Sequence, residues 1–190
     1  MYKYIVILIF IMFMCRSSFF FRQNKSNYIK QDSDEILWSS KRKLIWDDFM
    51  AIPDTNQTNL AALTSAKIQI TENCVENGIP KYLLQCYFVK SQSWTKVNDK
   101  LTLLHEQLHF DIGELFTRKI RKAFDSLNSK KIKDYLIYEN LYFTYGKKNE
   151  SYQKLYDSDV NFNDINQLKW EKKIDADLLK LKKYEYIPKE

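Results

Sequence analysis

Two kinds of hydrophobic pattern divide the chain into an early part rich in strands and a later part rich in helices. Up to residue 89, apolar and aromatic residues occur in short runs between polar or turn residues, which is typical of β-strands. We expect strands at about 35–39, 61–71 and 82–89, a turn at 76–80 and a loop at 91–97. Farther on, apolar residues recur at helical spacing, and we expect helices at about 98–128, 131–145, 150–156 and 164–184. Strands followed by helices predict an α+β fold with a small N-terminal antiparallel sheet.

The segment 98–128 has the strongest helical pattern. Its apolar stripe consists of Leu101, Leu104, Leu108, Ile112, Leu115, Phe116, Ile120 and Phe124. Asn98 or Asp99 can cap the first turn, and no proline interrupts the segment. Gly113 weakens a helix by roughly 1 kcal/mol relative to alanine. These features together predict one long helix.

The N-terminus has the features of an export signal. Lys3 precedes an apolar run at 4–14, which is shorter than the ~20 residues that span a membrane. The aromatic residues 19–21 leave an uncleaved membrane anchor open, and Cys15 leaves a lipid-modified cysteine open. We therefore expect a signal peptide or anchor at 1–25, a flexible lead-in at 26–34 and a single domain at 35–190. The domain would be exported to the periplasm, the cell envelope or the extracellular space.

Composition limits the classes of partner. The chain has 190 residues and a net charge of +6, but its basic runs alternate with apolar helical positions and match no nucleic-acid-binding motif. We expect no nucleic-acid partner, and membrane contact only through the N-terminal segment. Three glycines in the whole chain argue against a nucleotide-binding loop. Cys74 and Cys86 flank the expected turn, and whether they form a disulfide stays open because the sequence does not fix the strand register.

The chemical signal is the HExxH motif formed by His105, Glu106 and His109, which uses both histidines of the chain. Two residues four apart lie about 40° apart around a helix, so both imidazoles leave the same face. Glu106 lies about 100° from His105, where its carboxylate can reach a water bound to a metal held by the histidines. This arrangement is typical of a zinc-dependent hydrolase, which needs two imidazole ligands, a third ligand and an acid/base.

The chain resembles a family of uncharacterised bacterial secreted proteins described as predicted zinc-dependent proteases. The resemblance covers roughly residues 36–182. It rests on the segments 44–49, 61–65, 104–112 and 114–121, and on Pro53, Trp94, Tyr152, Gln153, Tyr156, Asp157, Gln167 and Trp170. It implies a zincin-like metallohydrolase and no particular substrate. Many family members carry a histidine shortly after the Tyr-Asp pair, whereas this chain has Phe162 at that position.

The third zinc ligand is therefore expected to be a carboxylate. Asp157 and Asp159 follow the tyrosine of the family-like segment, and we expect one of these two to bind the metal. Glu139 on the next predicted helix is the second choice. On a straight helix, Glu114 points away from the histidines, and Asp111 suits a cap or a contact with other elements.

These features predict an exported zinc metallopeptidase that hydrolyses a peptide or protein substrate. Glu106 would accept a proton from the attacking water, and the hydroxyl of Tyr156 is a candidate donor to the oxyanion. One alternative is a cell-wall amidase on the same site. Another is a non-catalytic envelope binding protein on a degraded zincin scaffold. The sequence does not identify the substrate or the oligomeric state.

Overall fold

A computed structural model describes residues 34–161 and 163–188. Its strands are β1 (Glu35–Leu37), β2 (Ala62–Leu63), β3 (Ala66–Glu76), β4 (Ile79–Val89) and β5 (Trp94–Thr95). Its helices are α1 (Lys100–Ser129), α2 (Tyr135–Val160) and α3 (Asp164–Lys180), with short 3₁₀ turns at Trp46–Asp48, Lys90–Gln92 and Lys182–Tyr184. The protein is thus α+β, with a small antiparallel sheet and three helices. The predicted signal segment, most of the lead-in and Phe162 lie outside the described residues.

The main sheet is antiparallel with strand order β1-β4-β3. β3 and β4 form a hairpin whose two turn residues, Asn77 and Gly78, have φ angles of 53° and 78°. Two positive φ values are what a tight hairpin turn of the I′ type requires, and Asn-Gly is the preferred sequence for it. β2 and β5 form a separate two-stranded sheet. The loop expected at 91–97 therefore contains a strand, which is too short to produce an alternating pattern.

The hairpin register decides the question of the cysteines. Cys74 lies opposite Lys81, whereas Cys86 lies opposite Ile68. Lys81 and Cys86 are five positions apart on β4, which is about 17 Å along the strand. A disulfide requires the two Cα atoms within about 7 Å. Both cysteines are accordingly free, with Cys74 exposed and Cys86 buried.

Helix α1 is the centre of the fold, because β4 packs against one side of it and α2 and α3 against another. Asp99 caps it by accepting a hydrogen bond from the Thr102 amide at 2.9 Å. Gly113 lies where α1 packs closely against the sheet, since a Cβ atom there would meet Cys86 Sγ at 3.0 Å. The observed helix, Lys100–Ser129, is close to the predicted range of 98–128.

The segment after α1 differs from the expectation of two short helices. Residues 135–160 form a single helix, α2, that continues through Gly146 and the polar residues after it. A glycine inside a helix costs only about 1 kcal/mol, and packing against α1 exceeds that cost. The continuous helix matters because its last two turns reach the histidines of α1.

Two arginines of α1 fasten the C-terminal part of the chain to that helix. Glu114 accepts hydrogen bonds from Arg118 Nε and Arg121 Nη1, both at 2.9 Å. Arg118 also donates to the Leu178 carbonyl at 2.8 Å, and Arg121 donates to the Tyr184 carbonyl at 2.7 Å. These charge-assisted contacts fix α3 beside α1, and so fix the position of the α3 side chains near the histidines.

Candidate metal centre

Three side chains from two helices converge on one point. His105 and His109 leave the same face of α1, and their Nε2 atoms are 3.2 Å apart. Asp157 of α2 places its Oδ1 atom 3.3 Å from His105 Nε2 and 2.9 Å from His109 Nε2. These three atoms form a group that could hold a metal ion.

The spacing of the three atoms fits a small divalent ion. Ligand atoms around a tetrahedral zinc ion with bonds of 2.0–2.2 Å are about 3.3–3.6 Å apart. The observed separations of 2.9–3.3 Å are only slightly shorter, so a small outward movement of the side chains is sufficient. Two imidazoles and one carboxylate are a donor set that suits zinc and other transition metals.

The electrostatics of the group favour a cation. Burial opposes protonation of His109, but the hydrogen bond that Asp157 accepts, the charges of Glu106 and Asp157 and the contact with Gln153 together outweigh it, so the pKa of His109 is raised. Burial also acts on Asp157, yet its hydrogen bonds with His105 and His109 hold the pKa of its carboxyl well below the usual range. Asp157 thus stays ionised, and the negative charge that attracts a proton to His109 would equally attract a metal ion.

Gln153 fixes the hydrogen on His109. Its Nε2 atom donates to the His109 backbone carbonyl at 3.0 Å, which orients the amide so that Oε1 faces His109 Nδ1 at 2.6 Å. An oxygen at that distance requires a hydrogen on Nδ1. The lone pair of a neutral His109 is then on Nε2, the atom that faces Asp157. Such outer contacts commonly orient histidine ligands of metals.

Gln167 of α3 has the corresponding role at His105. Its Nε2 atom donates to Glu171 Oε1 at 2.9 Å, so Oε1 faces the site. That oxygen accepts a hydrogen bond from the Tyr156 hydroxyl at 2.6 Å and lies 3.4 Å from His105 Nδ1. Both histidines therefore have an amide oxygen at Nδ1 and direct Nε2 towards Asp157.

The structure places Tyr156 in the protein interior, against the two histidines. Its ring is fully buried and stacks on His105, with ring centroids 4.6 Å apart and an interplanar angle of 20°. Its hydroxyl donates to Gln167, and burial raises its pKa well above the ordinary value. In this arrangement Tyr156 contacts both His105 and Gln167, and its hydroxyl hydrogen is given to the Gln167 oxygen.

The remaining carboxylates weighed from the sequence do not join the group, and these include Glu114 and Asp111, which helix geometry already disfavours as ligands. Asp159 is two residues, or about 200°, from Asp157 around α2, and it accepts a hydrogen bond from the Trp170 indole at 2.6 Å. Asp111 is buried and accepts from the Trp38 indole at 2.7 Å, which ties α1 to the segment after β1. Glu114 faces its two arginines, and Glu139 is exposed on α2.

Glu106 has an unusual environment for a carboxylate. Only 4% of the residue is exposed, and its Oε2 atom is buried without a hydrogen-bond partner among the described residues. A buried, unpaired carboxylate oxygen is costly, and such atoms commonly mark catalytic or ligand-binding sites. Its backbone carbonyl accepts a hydrogen bond from the Thr64 hydroxyl at 3.2 Å, which joins the motif to the loop after β2.

The group opens into a cleft of about 820 Å³ between α1, α2, the start of α3 and the segment that includes β2. His105, Glu106, His109 and Asp157 all line this cleft. Its volume is within the range of small-molecule and peptide sites. The arrangement thus combines a metal-binding group, a buried carboxylate and space for a ligand.

Comparison with models of protein families and with curated proteins finds no match, and comparison with solved structures finds none either. Among the residues that the structure describes, no helix is both long and apolar enough to cross a membrane.

Sequence reasoning gave Gln153 and Gln167 no role at the site. A signal for Gln153 is present, since it lies four residues before Asp157 and so on the same face of α2. Gln167 could not be found in this way, because its position depends on how α3 packs against α1.

Proposed function

We propose that the protein is a zinc-dependent metallopeptidase that hydrolyses peptide bonds in the cleft. The observation that carries this proposal is the meeting of His105, His109 and Asp157 beside Glu106, whose Oε2 atom is buried and has no hydrogen-bond partner in the part of the chain that the structure describes. A purely structural zinc site is normally closed by four protein ligands. A three-ligand group beside a buried carboxylate at the wall of a cleft is the arrangement expected of a catalytic one.

The residues of the chain divide the chemistry between them. His105, His109 and Asp157 would hold the zinc ion, which lowers the pKa of water and polarises a carbonyl. Glu106 would accept the proton of the attacking water and return it to the leaving nitrogen. The water-excluding environment of Glu106 strengthens its interaction with that proton. Gln153, Gln167 and Tyr156 would hold the two imidazoles with Nε2 towards the metal.

The zincin-like classification and export are parts of the same proposal. The HExxH motif on a long helix beside a small antiparallel sheet is consistent with a zincin-like fold, and the apolar run at 4–14 supports export. We expect the enzyme to act at the cell envelope or outside the cell.

Zinc content and hydrolysis, measured on the same preparations, test the proposal. The parent protein should retain one zinc ion after dialysis and should cleave a peptide library. His105→Ala should lose the zinc, whereas Glu106→Gln should keep it and lose activity by about 10²–10⁴-fold.

Glu139→Gln is the matched control, because it makes the same chemical change at an exposed position of α2 outside the cleft. A parent protein that binds no zinc would refute the proposal. A zinc-bound protein that leaves peptides intact but cleaves cell-wall amides would be the amidase. If it cleaves neither, the non-catalytic binding protein is the correct alternative.

A further inference from the structure

Carboxylates dominate the charged residues of the cleft. The carboxylates that line it are those of Asp99, Glu106, Glu150, Asp157 and Asp164. Among the described residues, Lys154 is the one lysine or arginine that lines it. Among the described residues that line the cleft, five carboxylates against one ammonium group leave an excess of four negative charges, and a divalent ion would still leave two. The chain as a whole carries a net charge of +6, so the cleft has the opposite sign to the molecule.

Three of these carboxylates are not needed for the metal or for proton transfer. Asp99 caps α1, Glu150 is in the middle of α2, and Asp164 is in the first turn of α3. All three residues are exposed, so their carboxylates can reach a ligand without first breaking a buried contact. They come from α2, from α3 and from the cap of α1, and all three line the same cleft.

Apolar residues also line the cleft. Leu60, Ala61, Ala62 and Leu63 are consecutive in the chain and form part of its wall, and Leu101 and Val160 line the cleft as well. The residues of the stretch are small or of medium size, and Leu60 and Leu101 remain exposed. This wall can bury small aliphatic side chains, which gain free energy in proportion to the apolar area removed from water.

A feature independent of the surface carboxylates indicates that the cleft binds a ligand. Glu106 lines the cleft and is more than nine-tenths buried. Its Oε2 atom has no hydrogen-bond partner among the described residues. A native protein rarely leaves such an atom unsatisfied unless a ligand or solvent group completes it.

We infer that the cleft selects a cationic peptide segment, with small aliphatic residues against the 60–63 wall and a lysine or arginine side chain among Asp99, Glu150 and Asp164. The inference rests on the proposed function as far as cleavage of the bound peptide is concerned, whereas the binding preference does not depend on it. Acidic peptides would bring like charges together at the opening, which disfavours them.

Binding of three fluorescent peptides tests the inference. They have the same length and the same alanine and leucine positions, and they carry two lysines, two glutamines or two glutamates. Fluorescence anisotropy with the full-length protein is measured in zinc-containing and in chelator-containing buffer, at about 50 mM and about 500 mM salt. We expect the lysine peptide to bind about tenfold more tightly than the glutamate peptide at low salt, with a smaller ratio at high salt.

Matched variants locate the preference. Glu150→Gln and Asp164→Asn should each reduce the lysine-to-glutamate ratio by about threefold, because each removes one cleft charge. Glu139→Gln on α2 and Asp175→Asn on α3 make the same changes at exposed positions outside the cleft and should leave the ratio unchanged.

Two results would overturn the inference. One is equal binding of the three peptides, and the other is a lysine preference that Glu150→Gln and Asp164→Asn leave intact. Either result would leave the zinc chemistry standing. Failure to bind zinc would instead remove the proposed reaction, while the binding ratio in chelator buffer would still report on the charge of the cleft.

Discussion

Replacing Gln153 by methionine should weaken zinc binding without removing any proposed zinc ligand. The Gln153 amide accepts from His109 Nδ1 at 2.6 Å and donates to the His109 carbonyl at 3.0 Å. Methionine is similar in length but offers neither a strong acceptor nor a donor. His109 would then be free to carry its hydrogen on Nε2, the atom that must give its lone pair to the metal.

The contacts set the size of both effects. Loss of an outer contact to a histidine ligand typically costs 10–100-fold in metal affinity, and we expect about 30-fold here because the 2.6 Å contact is short. Two hydrogen bonds in a partly buried position contribute about 1 kcal/mol each, so the free energy of unfolding of the metal-free protein should fall by about 2 kcal/mol. The ligand set itself remains complete.

Zinc affinity is measured by competition with a chromophoric chelator, and stability by urea unfolding in a metal-free buffer. Gln153→Glu should retain affinity within about threefold, because a carboxylate also accepts from Nδ1. Gln69→Met, at an exposed position of β3, is the control for the methionine side chain. If Gln153→Met binds zinc as tightly as the parent protein, the argument that Gln153 fixes the hydrogen on His109 is wrong.

Three further predictions concern the packing of Gly113, the burial of Cys86 and the role of Tyr156. Gly113→Ala should lower the free energy of unfolding by about 1 kcal/mol, although alanine has the better helix propensity, because the new Cβ would lie 3.0 Å from Cys86 Sγ. In a Cys86→Ala background the same substitution should raise the free energy of unfolding, and urea unfolding measures both effects. A thiol reagent should label Cys74 in the native protein and Cys86 only after unfolding, because Cys86 is buried and burial also raises the pKa of its thiol. Peptide mass spectrometry identifies the labelled cysteines, and rapid labelling of Cys86 in the native protein would contradict the packing. Tyr156→Phe should lower the free energy of unfolding by about 1 kcal/mol, because it removes the hydrogen bond to Gln167. At full zinc occupancy it should lower kcat by less than about tenfold. A loss of kcat above about 10²-fold would instead support a role for Tyr156 as the donor to the oxyanion.

The parts of the fold that local patterns determine could be predicted from the sequence. The long apolar stripe and the capping residues before it gave α1 with nearly the observed ends. The turn between β3 and β4 follows from Asn77 and Gly78, which readily adopt positive φ angles. The short β5 and the continuity of α2 could not be predicted, because both depend on partners distant in sequence.

The site divides in the same way. His105, Glu106 and His109 share one helix, so their relative positions follow from helical geometry alone. The choice between Asp157 and Asp159 depends on which face of α2 packs against α1, and two residues on a helix point in nearly opposite directions. Tyr152, Tyr156 and Val160 recur every four residues and pack in the core, and this stripe sets the rotation of α2 that brings Asp157 to the histidines.

The location of bound zinc tests the central claim most directly. Crystals grown with one equivalent of zinc, with diffraction data collected on both sides of the zinc absorption edge, show the ion by its anomalous signal. We expect one strong peak within about 2.2 Å of His105 Nε2, His109 Nε2 and a carboxylate oxygen of Asp157. Zinc bound elsewhere, or no peak between these three side chains, would contradict the account.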